Sequence, residues 1–147
     1  MEIAVLALGC FWGPEIKFSK IEGIIKTEVG YCGGNSAPTT YKEVCTGNTN
    51  HAEVVKIDFD EKVITYEEIL KIFFEIHDPT TLNAQGPDFG TQYRSEIFYL
   101  NDNQKKIAEF VLKEVNKKLS GKVVTKISIL KNYCTAEEYH QKYLEKR

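Results

Sequence analysis

Four cysteines, three histidines and a set of acidic and phenolic side chains are the reactive inventory of this 147-residue sequence. Cys10, Cys32, Cys45 and Cys134 form no C-x-x-C pair, and His51, His77 and His140 complete no zinc-ligand spacing, so no metal is expected. Cys10 differs from the other thiols. It follows the apolar run 3–8 and precedes a helix-start signal at Gly13-Pro14, which sets it at a strand end beside the positive end of a helix dipole. That environment favours thiolate and makes Cys10 a candidate nucleophile, although position alone fits a buried cysteine packing as a small hydrophobe equally well. In Gly9-Cys10-Phe11-Trp12-Gly13 two large aromatics adjoin the thiol and glycines allow a tight turn, an arrangement suited to an apolar pocket for a small apolar group.

The elements that must hold these groups are read from periodicity and caps. β-Branched content and alternation predict strands at 2–8, 24–29, 53–59, 95–100 and 123–129. Thr65-Tyr66-Glu67-Glu68 has the capping-box pattern and opens a helix to about Ile76; Thr135-Ala136-Glu137-Glu138 has the same pattern and predicts another near the end. Residues 101–119 form a long amphipathic helix with Ile107, Phe110, Val111, Val115 and Leu119 on its apolar face, stopped by Gly121. Strands followed by helices in this order predict an α+β fold, a two-layer sandwich with a split βαβ core, in one domain over 1–147. Two stretches resist assignment, 30–51 and 78–90. Long irregular loops inside a compact domain are usually functional or disordered, and these hold Tyr, Asp, His and Gly rather than linker residues, which favours function.

Charge narrows the functional classes. Lys and Arg number 19 against 21 Asp and Glu, a net charge of -2, which gives no concentrated positive field for nucleic acid or an anionic membrane surface. No stretch approaches the roughly 20 apolar residues of a membrane span, and the N-terminus lacks a basic leader, so a soluble cytoplasmic protein is expected.

Five blocks together resemble the A-type peptide methionine sulfoxide reductases, which reduce the S epimer of methionine sulfoxide. They are GCFWGPE (9–15), GYCGG (30–34), PTTYKEVCTGNTNHAEVV (38–55), HDPTTLNAQGPDFGTQYRS (77–95) and AEEYHQKYLEK (136–146), in family order along nearly the whole chain. The resemblance implies a ferredoxin-like core, no metal or organic cofactor, methionine sulfoxide free or in oxidised proteins as substrate, and an external thiol reductant, thioredoxin or glutaredoxin. It makes Cys10 the nucleophile and Phe11 and Trp12 the pocket for the substrate's S-methyl group. It makes Glu53 the acid that meets the sulfoxide oxygen, with Tyr41, Tyr93 and Asp88 as polar companions, so that both irregular stretches gain a purpose. Burial of Glu53 would keep it protonated near neutral pH, as delivery of a proton to that oxygen requires. His51, two residues before Glu53, would share its side of a strand; in the family it is structural.

Taken singly, Glu53 reads as a solvated strand carboxylate, Asp88 as a turn residue and the tyrosines as core; the blocks together outweigh those readings. Many members of the family carry a tail with resolving cysteines, whereas this sequence stops at Arg147, so a sulfenic acid on Cys10 is expected to be resolved by Cys134, Cys32, Cys45 or an external thiol, with Cys134 the weak internal choice and Cys45 structural. Asn50 replaces the usual glycine before HAE, and the only methionine is Met1. A cysteine hydrolase or acyl transferase using Cys10 with His51 or His140 as base, and a non-catalytic binding module built on Phe11 and Trp12, are the competing classes.

Overall fold

The computed structural model describes residues 2–35, 39–46 and 49–144; Met1, Pro38 and the end of the last block fall outside them. In chain order the elements are β1 (Glu2–Leu8), α1 (Trp12–Ser19), β2 (Ile24–Cys32), α2 (Tyr41–Cys45), β3 (Ala52–Phe59), α3 (Tyr66–Glu75), β4 (Ala84–Gln85), β5 (Asp88–Phe89), a 3-10 turn Thr91–Tyr93, β6 (Ser95–Tyr99), α4 (Asp102–Lys118), β7 (Lys126–Ile129), β8 (Cys134–Thr135) and a 3-10 turn Glu138–His140. Six strands form one sheet in the order β7-β6-β1-β3-β2-β8, antiparallel except for β6 with β7, while β4 and β5 make a separate hairpin. The helical connections β1–α1–β2 and β3–α3–β6 each bridge strands separated in the sheet by one antiparallel neighbour, so the fold is a mixed α and β layer structure about a central sheet.

Strand alternation sorts the core. Ala4, Leu6 and Leu8 of β1 and Val55, Ile57 and Phe59 of β3 face the helices, meeting Phe18 of α1, Ile69, Leu70 and Phe73 of α3, and Ala108 and Val111 of α4. Val5, Ala7, Cys32, Ala52, Val54 and Phe98 form a smaller cluster on the opposite face, covered by Leu130 and Tyr133. The period of two therefore points Glu53 of β3 toward the helix side, in register with Tyr31 of β2.

Local signals set most boundaries. Thr65 caps α3 with the full reciprocal box, and Asn101 caps α4 through Gln104 N–H at 2.9 Å. Four expectations change. No α-helix opens at Thr135: that residue pairs with Gly30 in β8 and is strand, not an N-cap, while Glu137 accepts from Tyr31 and Tyr41. The last long strand starts at Lys126, not at 123. Phe110 is 54% exposed, because the apolar stripe of α4 turns its Ala108 and Val111 edge to the sheet. His51 precedes the first residue of β3, after Asn50 at φ 59°, so alternation does not reach it; its ring packs against Gly34, where a Cβ would lie 2.0 Å from Nδ1. Among the described residues no helix is long and apolar enough to cross a membrane.

Candidate active site

β1 ends at Leu8, and Gly9 turns the chain with φ 96°; a Cβ there would stand 2.8 Å from Gln85 Cγ, so glycine answers both the backbone angle and the close approach. The turn leaves Cys10 half-buried between β1 and α1. Phe11 is the N-cap residue, and its carbonyl accepts the first helical bond from Glu15 N–H at 3.1 Å. Burial pushes the Cys10 thiol up to about 11, opposed by the Trp12 backbone N–H and reinforced by the acidity of Glu53 and Asp88 nearby. The helix-terminus expectation of a resting thiolate is thereby reversed, because loss of hydration outweighs one backbone donor.

Glu53 is 1% exposed. Phe11 N–H donates to its Oε1 at 3.3 Å, and Oε2 has no partner. Burial pushes this carboxyl up to about 8, against the pull of the Phe11 N–H and with the help of Asp88. At neutral pH it carries its proton beside the residue that follows Cys10.

Three other polar groups converge on the pair. Thr40 caps α2, its hydroxyl accepting from Glu43 N–H at 3.2 Å, and so holds Tyr41 at the first helical position. Burial raises the Tyr41 phenol far above the usual phenol range, with Tyr93 and Glu53 adding to the shift. Tyr93 stands at the end of the Thr91–Tyr93 turn, pushed up to about 12 by burial and then by Glu53. Asp88 lies opposite Gln85 in the β4–β5 hairpin, and its charge acts on Cys10, Glu53 and Tyr93 alike. Cys10, Glu53, Tyr41, Tyr93 and Asp88 thus form one electrostatically coupled cluster, assembled from a strand end, a second strand, a short helix, a hairpin and a 3-10 turn.

The apolar wall is Phe11 and Trp12, and residues assigned no such supporting role from sequence hold it in place. Trp12 Nε1–H donates to His140 Nδ1 at 3.1 Å, and the indole stacks on Tyr143 at 3.8 Å with 13° between planes. Phe11 packs against Tyr31 at 5.8 Å and His140 at 5.3 Å. His140 is 2% exposed with Nε2 unpartnered, and burial lowers its pKa, so it is a neutral ring bound to Trp12 rather than a free base. Glu137 accepts from the Tyr31 hydroxyl at 2.7 Å and from Tyr41 N–H at 2.9 Å. The Gln141 amide pairs with both backbone groups of Val29, at 3.0 and 2.9 Å, as a strand would. The signal for these roles was the density of hydrogen-bonding side chains at Glu137, His140 and Gln141, which the predicted helix absorbed.

The remaining thiols are scattered. Cys32 is fully buried on the sheet face away from the helices, Cys134 lies on β8 opposite Tyr31, and Cys45 ends α2; none of the four cysteines is in a disulfide. No group of three or more His, Cys, Asp or Glu side chains among the described residues could hold a metal ion.

The family model described as peptide methionine sulfoxide reductase matches residues 2–147. The chain is 81% identical to the peptide methionine sulfoxide reductase MsrA of Pelagibacter ubique over 147 residues, all of each chain. Its fold is similar to that of Mxr1 from Saccharomyces cerevisiae in reduced form, with a TM-score of 0.94 and 44% identity over 99% of this chain and 85% of that one. It also matches Mxr1 in complex with Trx2, with a TM-score of 0.69 and 30% identity over 97% of this chain and 84% of that one.

Proposed function

This chain belongs to the peptide methionine sulfoxide reductase family, and on that premise we propose that Cys10 attacks the sulfur of a methionine S-sulfoxide whose methyl group rests on Phe11 and Trp12. The enzyme reduces peptide methionine sulfoxide; the residue roles follow from the chemistry the site can support. The observation that carries them is Glu53, a buried carboxylic acid with one oxygen unpartnered and its proton retained to about pH 8. Glu53 gives that proton to the sulfoxide oxygen, while Tyr41 and Tyr93 donate hydrogen bonds to it. Protonation leaves positive charge on the substrate sulfur. That charge lies next to Cys10 and favours release of the thiol proton, which burial otherwise holds. The thiol proton passes to the Glu53 carboxylate and the Cys10 sulfur bonds to the substrate sulfur; the hydroxyl then moves from that sulfur to Cys10 as the substrate S–O bond and the new S–S bond break, an electron pair returning to the methionine sulfur, and the products are methionine and a cysteine sulfenic acid. Asp88 supplies negative charge that keeps the Glu53 proton in place.

No cofactor is needed beyond an external thiol. A thioredoxin-type dithiol is the favoured reductant, a reading supported by the yeast Mxr1 complex with Trx2. Free and protein-bound methionine sulfoxide are both substrates, and repair of oxidised proteins is the role. The balanced charge and four cysteines outside any disulfide support a cytoplasmic setting. The order β6-β1-β3-β2 with α1 and α3 as its crossovers supports a ferredoxin-like core in a single domain, 1–147.

The test is methionine formed from each sulfoxide epimer with dithiothreitol as reductant, for the parent and for Cys10→Ser. The S epimer is reduced by the parent and by it alone. Activity that survives in the variant, or thioester hydrolysis in its place, would sink the assignment of Cys10.

A further inference from the structure

Arg94 follows Tyr93 in extended backbone, at φ -69° and ψ 157°, and its guanidinium lies on the sheet face away from the helices. A Cβ on Gly33 would stand 2.7 Å from the Phe98 ring on that face and 3.1 Å from Arg94 Nη2. The side chain is 15% exposed, and its three nitrogens donate to three separate segments. Nε–H donates to Glu96 Oε1 of β6 at 2.6 Å, Nη1–H to the Thr91 carbonyl at 2.9 Å and Nη2–H to the Asn50 carbonyl at 3.0 Å. Glu96 is held in turn by β7, through the Ser128 hydroxyl that donates to Oε2.

The two carbonyls belong to the segments that deliver the acid and one of its phenolic companions. Thr91 opens the turn that ends at Tyr93, and that turn packs against β3. Asn50 stands three residues before Glu53, at φ 59°, a left-handed angle that residues other than glycine seldom adopt. The turn's own backbone bonds run from Tyr93 N–H to the Gly90 carbonyl at 3.0 Å and from Arg94 N–H to the Thr91 carbonyl at 3.2 Å, and neither ties it to β3. The guanidinium does. Its fork is planar and its donors point in fixed directions, so it sets the spacing of the two carbonyls as a flexible ammonium could not.

We propose that Arg94 is a positioning residue for the reduction: one guanidinium clamps the approach to Glu53 to the turn bearing Tyr93, and so keeps acid and phenol together at the sulfoxide oxygen. The role rests on the reading of Glu53 and Tyr93 as donors to that oxygen, and the experiment separates the two. Arg94 acts from behind the sheet, through backbone position. Burial, the Phe11 N–H and Asp88 set the Glu53 proton, so the charge of Arg94 is not what retains it. The other titratable groups coupled to Glu53, which are Cys10, Tyr31, Tyr41, Cys45 and Tyr93, are left intact by a substitution at 94. Loosening the clamp parts the two segments and admits water to Glu53, which brings its pKa down toward the ordinary carboxylate range.

Arg94→Lys keeps a cation for Glu96 and removes the planar fork, whereas Arg94→Gln removes both. Single-turnover methionine formation from a methionine S-sulfoxide peptide is followed against pH, per folded molecule. The protonated carboxyl band of Glu53, assigned by its loss in Glu53→Gln, is titrated by infrared difference spectroscopy. Both Arg94 variants are expected to lose roughly tenfold or more in rate at pH 7. Their Glu53 band should titrate about one pH unit or more below the parent's value near 8. Thr27→Val, which weakens the fold away from this clamp, shifts neither. An Arg94→Lys enzyme that keeps the parent rate, or one that loses rate with the Glu53 band unmoved, overturns the proposal; a like shift in Thr27→Val traces the effect to stability and overturns it too. If Arg94→Gln folds poorly, Arg94→Lys alone decides. A parent rate flat through pH 8 removes the acid role of Glu53 and the proposal with it, whereas a parent that declines there beside unaltered Arg94 variants overturns the positioning role alone.

Discussion

Glu15 on α1 and Glu53 on β3 are buried to nearly the same degree, 2% and 1% exposed, yet their surroundings differ completely. Both oxygens of Glu15 are occupied: Thr27 Oγ1–H donates to one at 3.1 Å and Lys142 N–H to the other at 2.6 Å. That carboxylate ties α1 to β2 and to the C-terminal segment that carries His140 and Tyr143 to Trp12. Glu53 has one long bond from a backbone N–H and one empty oxygen. A buried carboxylate with full partners is a structural clamp, and one left with an orphan oxygen has free capacity for a substrate. The contrast separates holding the site together from working in it.

The sharpest break of this contrast is Glu53→Gln, which keeps the shape and removes the acid. Methionine formation in a single turnover at pH 7 is expected to fall by roughly 10²–10⁴. The parent's rate declines above about pH 8 as Glu53 loses its proton, and the variant's rate lacks that limb. A parent profile flat through pH 8 would remove Glu53 from the acid role. Stability falls in the same direction. The folded-state pKa is raised, so the stabilisation from the bound proton is full below an ordinary value near 4.5, declines as pH rises through about 8 and levels off above it. Urea unfolding at pH 5 and pH 9 should show that decline in the parent and not in Glu53→Gln.

Glu15→Ala should reverse the pattern. It strands the Thr27 hydroxyl and the Lys142 N–H, at a cost of roughly 2–4 kcal/mol measured by urea denaturation, while activity per folded molecule stays within about tenfold of the parent. A rate loss as large as that of Glu53→Gln, with stability intact, would erase the distinction between the two carboxylates. Thr27→Val removes one of the two donors to Glu15 and is the mildest probe, with roughly 1–2 kcal/mol lost and no change in the pH profile.

What could be read in advance follows the range of the interaction. The Thr65 box, the helix beginning near Asn101 and the extent of β1 rest on local patterns, and all three stand where composition and spacing put them. Thr135 to Glu138 carries the same capping letters but not the helix, since Thr135 is drawn into β8 beside Gly30, about a hundred residues away in sequence. Phe110 fits the helical period, yet the period does not say where the apolar face ends. Cys10 could be chosen from its strand-end position, but its protonation could not. The dipole of a neighbouring helix is a local property, whereas the depth of burial that overrides it is not.

By itself the sequence singled out Cys10 as a candidate nucleophile, the aromatic pair beside it, the long helices and the motif blocks, because each is written in neighbouring residues. Tertiary structure alone decided that Phe11 N–H meets Glu53 across 42 positions and that Trp12 meets His140 across 128. It also decided that Glu53 keeps a proton and Cys10 a thiol at neutral pH, because desolvation belongs to the assembled core and no local stretch of chain contains it.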